Sequence, residues 1–492
     1  MSRYVHLFLW ITLASPAFSQ NPHEPETRLQ LAYYQIINLE IDRANQTLSQ
    51  LSPADKSHAL FYYVENLAEI ISILLNENKS FYEALQGHEK SRLQQLERLD
   101  DDNPYKSYVM SEIKLQWAFI RLKFGDSFSA GWGIKQAYKL AHENRQRHPD
   151  FIPNYKTLGT LNILIGSVPQ NYQWLLNLFG LNGSVSEGLE LFSKIENTDN
   201  IFGLEAAILR CLSGVYILQE NSLVKSFLKV YQAHPDNLLV KFAYAAVNFK
   251  SNHSEKALDI IRETQRFGEQ YAKIHYFDYL EGKILLQKKS YTLAAYYFNR
   301  FVEKYQGENN IKDAYFQLFL CYWLSDQKEK AMDTYALAKS KGGPMSTADK
   351  YADKILRNDE FPHKQIMQIR LATDGGYYHL AEEQINNLSE NQLVTDKNKT
   401  ELVYRKARLS HLQGQIPQAL TQYQKTIDMT QKKPWYFAPN AALQLGQIYT
   451  DQKNYDRARY YFNLVLTFRN HPYKQSLDRQ AKSWLKKIEG QK

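Results

Sequence analysis

Apolar and small residues recur through this chain at helical spacing, in blocks that come in pairs. Leu445, Gly446 and Tyr449 stand at i, i+1 and i+4, followed by a polar turn and then Tyr455, Ala458 and Phe462 at i, i+3 and i+7. Each block places its apolar residues on one helical face, so the stretch predicts two amphipathic helices joined by a short turn. His471-Pro472 closes the unit, because proline cannot continue a helix. Similar pairs recur upstream. One holds Leu280, Gly282, Tyr291, Ala294 and Phe298, and the next Tyr315, Leu318, Tyr322, Ala331, Tyr335 and Ala338 before Gly342-Gly343-Pro344. Further pairs hold Tyr378, Ala381 and Ile385, then Gly414, Ala419 and Tyr423, and a fainter one Tyr244, Ala257 and Ile261. In the first half Trp117, Ala118, Gly125, Ala130 and Ala137 precede His148-Pro149, and Leu31, Ala32, Ala44, Leu48 and Pro53 start the series.

The period is the stronger signal. Ala257, Ala294, Ala331, Ala381, Ala419 and Ala458 are separated, by subtraction, by 37, 37, 50, 38 and 39 residues. Periods of this length mark stacked helical hairpins, none of which can bury its apolar face alone. The predicted fold class is therefore all-α, a right-handed α-α superhelix of tetratricopeptide-like hairpins. The longer gap between Ala331 and Ala381 needs an added helix over Ser346–Leu356, capped near Ser346 or Thr347.

Residues 155–191 break the pattern. They read as two apolar helices joined at Pro169, with glycines at close contacts and a loop from Gly180 to Ser184. Gly159, Pro169, Trp174, Leu175-Leu176, Phe179-Gly180, Gly183 and Gly188-Leu-Glu-Leu resemble the signature of the tetratricopeptide repeat protein 39 and inclusion-body-clearance family. The stretch from Tyr436-Phe-Ala-Pro439 through Leu445-Gly446, Tyr449, Tyr455 and Ala458 to Leu485 is similar to that family's end. The resemblance implies an all-helical, partner-binding repeat protein and brings no catalytic residues. Known members act inside eukaryotic cells, so their function is not carried over.

Composition adds a location. Arg3, a short apolar run and small residues at Ala17 and Ser19 follow the grammar of a secretory signal peptide. The expected division is signal peptide 1–19, an N-terminal repeat block 20–200 with the apolar hairpin near 155–191, and a repeat array 201–492. No later apolar stretch reads as a transmembrane helix, so an exported protein, periplasmic or outer-membrane associated, is expected. Lysine and arginine exceed aspartate and glutamate by 60 to 52, a mild excess interspersed with acids, which argues against a nucleic-acid partner.

Candidate chemistry is sparse. His142 and His148 are six apart and share no helical face, Asp100–Asn103 lacks the glycine and glutamate of a calcium loop, and Pro104 marks a helix start instead. Cys211 and Cys321 form no CxxC and read as small apolar packing residues. No phosphate cradle, GxSxG or metal spacing appears, so neither an enzyme nor a cofactor is expected. What remains is a surface. In such arrays the first helix of each pair lines the concave side, which places Tyr279, Lys283, Trp323, Tyr404, Arg408, His411, Gln444 and Gln447 near it as candidate contacts for a peptide or protein partner. Membrane contact is the less favoured expectation. The alternative function is binding of a lipid or apolar small molecule by the 155–191 hairpin.

Overall fold

A computed structural model describes residues 27–168, 173–218, 220–359, 361–430 and 433–491; the expected signal peptide and Pro169 lie outside them. Among the described residues the chain is helical, with no strand. Consecutive helices pair as the pattern predicts: Pro104–Lys123 with Ser127–Arg147, Leu238–Lys250 with Ser254–Glu263, and Tyr276–Gln287 with Tyr291–Lys304. Ile311–Leu324 pairs with Lys328–Ser340, Lys364–Gly375 with Tyr378–Asn386, Asp396–Leu412 with Ile416–Thr430, and Phe437–Asp451 with Tyr455–Thr467. Lys474–Lys487 closes the series. The fold is an all-α superhelical stack of hairpins.

All six periodic alanines are sealed from solvent, as are Phe298, Phe462 and Tyr423 four residues beyond three of them. The small residue lets two helices approach, and the ring fills the gap beside it. A Cβ built at Gly446 would lie 2.4 Å from the Phe462 ring, and one at Gly282 would lie 2.9 Å from Phe298. The two close contacts are the same device one repeat class apart. At the hairpin turns a single residue takes the left-handed conformation: Gly125, Gly376 and Gly414, but also Asn252, Lys289, Asp326 and Lys453.

The added helix runs Thr347–Arg357, and Ser346 caps it in a reciprocal pair with Asp349. Pro104 opens a helix capped by Asn103. Cys211 and Cys321 are buried free thiols, and burial pushes Cys211 up to about 12.

One expectation needs correction. The 155–191 segment is not two helices: Asn154–Gly166 packs on Val185–Glu196, and a separate short helix, Gln173–Phe179, lies between them in sequence. The chain breaks at Gly180–Ser184 because Gly183 and Gly188 must fit against the facing backbone. A Cβ at Gly188 would sit 2.6 Å from the Gly159 carbonyl oxygen. Ala59–Asn76 is, among the described residues, a helix long and apolar enough to cross a membrane. Here it is a core helix, with Leu60, Tyr63, Val64, Leu67 and Ile73 buried and its Glu65 and Glu69 both bound to Arg92.

The stack coils back on itself. Asn38 accepts from the Leu238 amide at 3.0 Å, and the Leu39 carbonyl from the Ala272 amide at 2.8 Å. Farther along, Asn252 donates to the Asp374 carbonyl (2.6 Å), Tyr291 pairs with Gln368 (2.9 Å), and Tyr351 stacks on Tyr473. Arg479 in the last helix donates to the Ser167 carbonyl at 2.9 Å. These contacts between distant repeats give the coil an inner face.

Candidate binding groove

The first helices of successive pairs bring cations and rings together. Lys250 ends Leu238–Lys250, Lys283 lies on Tyr276–Gln287, and Arg370 and Asp374 lie on Lys364–Gly375. Glu401, Arg405 and Arg408 follow on Asp396–Leu412, with Gln444 on Phe437–Asp451 and Tyr436 and Tyr473 at helix starts. Arg370 pairs with Asp374 at 3.7 Å and donates to the Tyr351 hydroxyl. Arg405 holds Glu401 at 2.7 Å and also donates to Tyr436. Arg408 donates to the Gln444 side chain at 2.8 Å. Lys283 lies 3.6 Å from Asp313, which accepts from Tyr279.

Exposure and desolvation diverge in this region. Tyr216 is 45% exposed and Tyr473 39%, yet desolvation pushes the Tyr216 hydroxyl up to about 12 and raises Tyr473 as well. A ring on a convex surface would be open to water and keep its ordinary value. Lys250 repeats the contrast: its side chain is exposed, but desolvation lowers its ammonium, opposed by Asp374 and aided by nearby Lys283. These groups meet solvent while protein surrounds part of each side chain.

The structure treats the eight predicted contact residues unequally. Lys283, Arg408, His411 and Gln444 are half-buried members of this region. His411 bonds the Tyr423 hydroxyl at 3.2 Å, and desolvation, then neighbouring Arg408, lowers its imidazole to about 4 against the opposing Gln444 contact. Gln447 is half-buried one turn from Gln444's neighbours. Tyr279 and Tyr404 are corrections. Both are buried core rings, Tyr279 against Phe298 and Phe301 and Tyr404 against Tyr423 and Phe437, so neither presents a face to a ligand. Trp323 falls elsewhere. Its indole donates to the Pro362 carbonyl at 3.0 Å, and it lines a separate cleft of about 610 Å³ with Asp326, Phe361, Lys364, Gln368 and Asn398. Sequence reasoning missed Lys250, Arg370, Arg405, Tyr216, Tyr436 and Tyr473. Arg370 and Arg405 do lie on first helices, so the same inward rule, applied to every cation, would have found them.

A second polar cluster is sealed. Lys156, 1% exposed, bonds Glu112 at 2.9 Å, Glu205 at 3.0 Å and the Tyr63 hydroxyl at 2.6 Å, and Tyr33 and Tyr63 both donate to Glu205. It ties together five helices of the N-terminal half and offers no path to a ligand.

Comparison with known proteins accords with this architecture. The tetratricopeptide repeat family matches residues 406–474, the region of the Gly446–Phe462 hairpin. The chain is a tetratricopeptide repeat protein. Residues 135–368 match the Iml2/Tetratricopeptide repeat protein 39 family, covering the glycine-rich hairpin that suggested it. That match stops at residue 368, and the general repeat family takes in the part of Tyr436–Leu485 up to residue 474. Among solved structures, a crystal structure of Rap protein complexed with competence and sporulation factor is similar at 14% identity and a TM-score of 0.32, covering 82% of this chain and 97% of that one. No curated protein is similar enough to register as a match. Arrays of this kind are protein-interaction scaffolds, since stacking creates extended concave surfaces.

Proposed function

We propose that the repeat protein is an exported, non-enzymatic scaffold that holds a peptide segment or protein partner in this groove, in a bacterial periplasm or at an outer membrane. The supporting observation is the inner face of the stack, where Lys283, Arg370, Arg405 and Arg408 lie on the first helices of successive pairs beside Tyr351 and Tyr436. Arginine and tyrosine supply large contact area at modest ordering cost. The export reading rests on the pattern of residues 1–20. Cross-linking tests the groove: a photoreactive group at position 283, and another at exposed position 330 as control, with mature protein in envelope extract. A partner captured through 283 and lost with Arg408→Glu supports the reading. Equal capture at both positions defeats it.

A second reading has its own observation. Phe128 (79% exposed), Trp132 (51%), Trp174 (60%) and Leu178 (66%) crowd two helices that meet where Phe179 lies against Gly131. Lys135 sits over both the Trp132 and Phe179 rings. Aromatic rings with a flanking lysine suit the interface of a bilayer. Liposome co-sedimentation of wild type against Trp174→Asp decides it; a folded wild type that stays in the supernatant ends this alternative.

A further inference from the structure

We propose that the cleft at Trp323 binds a neutral saccharide, whose hydroxyls meet Gln365, Gln368 and Asn398 and whose C–H face rests on the Phe361 ring. None of the inner-face cations lines this cleft, so its ligand is independent of any peptide held there.

The cleft forms where the repeat is interrupted. In the regular array each second helix packs on the next first helix, Tyr291–Lys304 on Ile311–Leu324 and Ile416–Thr430 on Phe437–Asp451. After Lys328–Ser340 the chain instead inserts Thr347–Arg357, and the following first helix, Lys364–Gly375, packs on Tyr276–Gln287, two pairs back. Between the end of Ile311–Leu324 and the start of Lys364–Gly375 an open cleft of about 610 Å³ results. Small-molecule sites occupy about 300–1,000 Å³.

Its lining is aromatic and rich in amides. Phe361 is fixed by the rings of Trp323 at 5.4 Å and Tyr335 at 4.9 Å, yet stays 43% exposed. The electron-rich face of such a ring attracts the polarised C–H groups of a pyranose. Gln368 donates to the Tyr291 hydroxyl at 2.9 Å, which leaves its own carbonyl oxygen to accept. Gln365 reaches the Asn387 carbonyl only at 3.5 Å, and the half-buried Asn398 amide bonds nothing among the described residues. The wall also holds His363, whose Nδ1 is buried without a partner. Each amide offers donors and an acceptor, as each sugar hydroxyl does, so the two sets pair.

Charge and polarity disfavour the other ligand classes. Lys364 carries its ammonium 4.5 Å over the Trp323 ring and bonds Asp326, so neither a cation nor an anion finds an unpaired partner. A wholly apolar ligand would strand the amides away from water. A neutral ligand with many hydroxyls satisfies them. Asp326 is 82% exposed, and so solvated a pair restrains Lys364 weakly; the lysine stem can swing aside to bare the Trp323 ring.

The test is saturation-transfer NMR of the mature chain with glucose, N-acetylglucosamine, cellotriose and chitotriose, and with glucuronic acid as the charged counterpart. Titration of any sugar that binds follows, on wild type, on a double variant Gln365→Ala with Asn398→Ala, and on Phe361→Leu. Retained helical circular dichroism qualifies each variant. A neutral sugar should bind wild type, and about tenfold more weakly once the two amides are gone, the equivalent of two neutral hydrogen bonds. Phe361→Leu should weaken it as well, whereas raising salt from about 0.05 to 0.5 M should leave the affinity unchanged. Transfer to the monosaccharides identifies a free sugar as the ligand, and transfer to the trisaccharides alone identifies a glycan chain; both support the site. No transfer to any neutral sugar overturns it, as does equal affinity in wild type and both variants, or binding of glucuronic acid alone.

Discussion

Replacing Gly446 by alanine isolates the contact on which the stack depends. The new Cβ would lie 2.4, 2.6 and 2.8 Å from three atoms of the Phe462 ring, where ordinary carbon contacts begin near about 3.5 Å. The ring or the helix must therefore retreat by about 1 Å. Phe462 has little room, being sealed from solvent and stacked on Trp484 with centroids 5.9 Å apart and planes 9° from parallel. Overpacking of this kind costs about 1–3 kcal/mol, while glycine to alanine inside a helix returns about 0.5–1 kcal/mol. The net expectation is a loss of about 1–2 kcal/mol. Gly87, on the helix Lys79–Glu97, supplies the control, since nothing lies within 4 Å of a Cβ there. Gly87→Ala should stabilise its helix by about 0.5–1 kcal/mol.

Arrays unfold piecewise, so a single global midpoint would blur the two effects. Amide hydrogen exchange read on peptides from 437–467 reports the local free energy instead. Gly446→Ala should speed exchange there by about 5- to 30-fold, and Gly87→Ala should slow it across 79–97. Adding Phe462→Leu to Gly446→Ala should recover part of the loss, because the leucine withdraws the ring edge that the methyl strikes. If Gly446→Ala exchanges no faster than wild type, close approach at this glycine does not set the packing, and the repeat argument loses its physical basis.

Two further outcomes follow from buried charge. Lys156→Met strands Glu112 and Glu205 in a sealed site, so a loss of about 3–5 kcal/mol is expected in exchange protection over 154–166; adding Glu112→Gln should restore part of it, and equal stability of single and double variants would refute the pairing. His411 titrates at about 4 when folded and near about 6.5 when unfolded. The unfolded chain takes its proton first, so stability present above pH 6.5 is lost as pH falls through that window toward 4. Melting curves between pH 4 and 7 should show a shallower decline for His411→Gln than for wild type, and parallel curves would refute the assignment.

The hairpins were legible because their cause is local. Ala294 and Phe298, or Ala458 and Phe462, recur at a spacing that helix geometry alone explains, and Ser346 with Asp349 announces a helix start within four residues. Turn chemistry was half legible. Gly125, Gly376 and Gly414 declare their left-handed conformations, whereas Lys289 and Lys453 adopt φ of 65° and 58° with nothing in the sequence to mark them. The groove was least legible. Tyr279 and Tyr404 lie on the correct helices, but a first helix is sandwiched between its own partner and the next pair, so most of its circumference is core. Lys312, Asp313 and Gln317 on Ile311–Leu324 are buried for the same reason. Which narrow strip stays open depends on how repeats more than a hundred residues apart approach, as Asn252 meets Asp374.

That dependence ties packing to recognition. Gly446 lies two residues beyond Gln444, which holds Arg408 at 2.8 Å from the neighbouring hairpin. The distance between cations on successive inner helices is set by how closely each pair nests, and nesting is set by the glycine and alanine contacts. A shift of about 1 Å at Gly446 is a large fraction of the margin separating a hydrogen bond from none. The same substitution that loosens the hairpin should therefore free Arg408 from Gln444 and change the inner face's charge pattern without touching a charged residue. Small residues in the core thus act as the gauge that spaces the groove, and the two properties should move together under mutation.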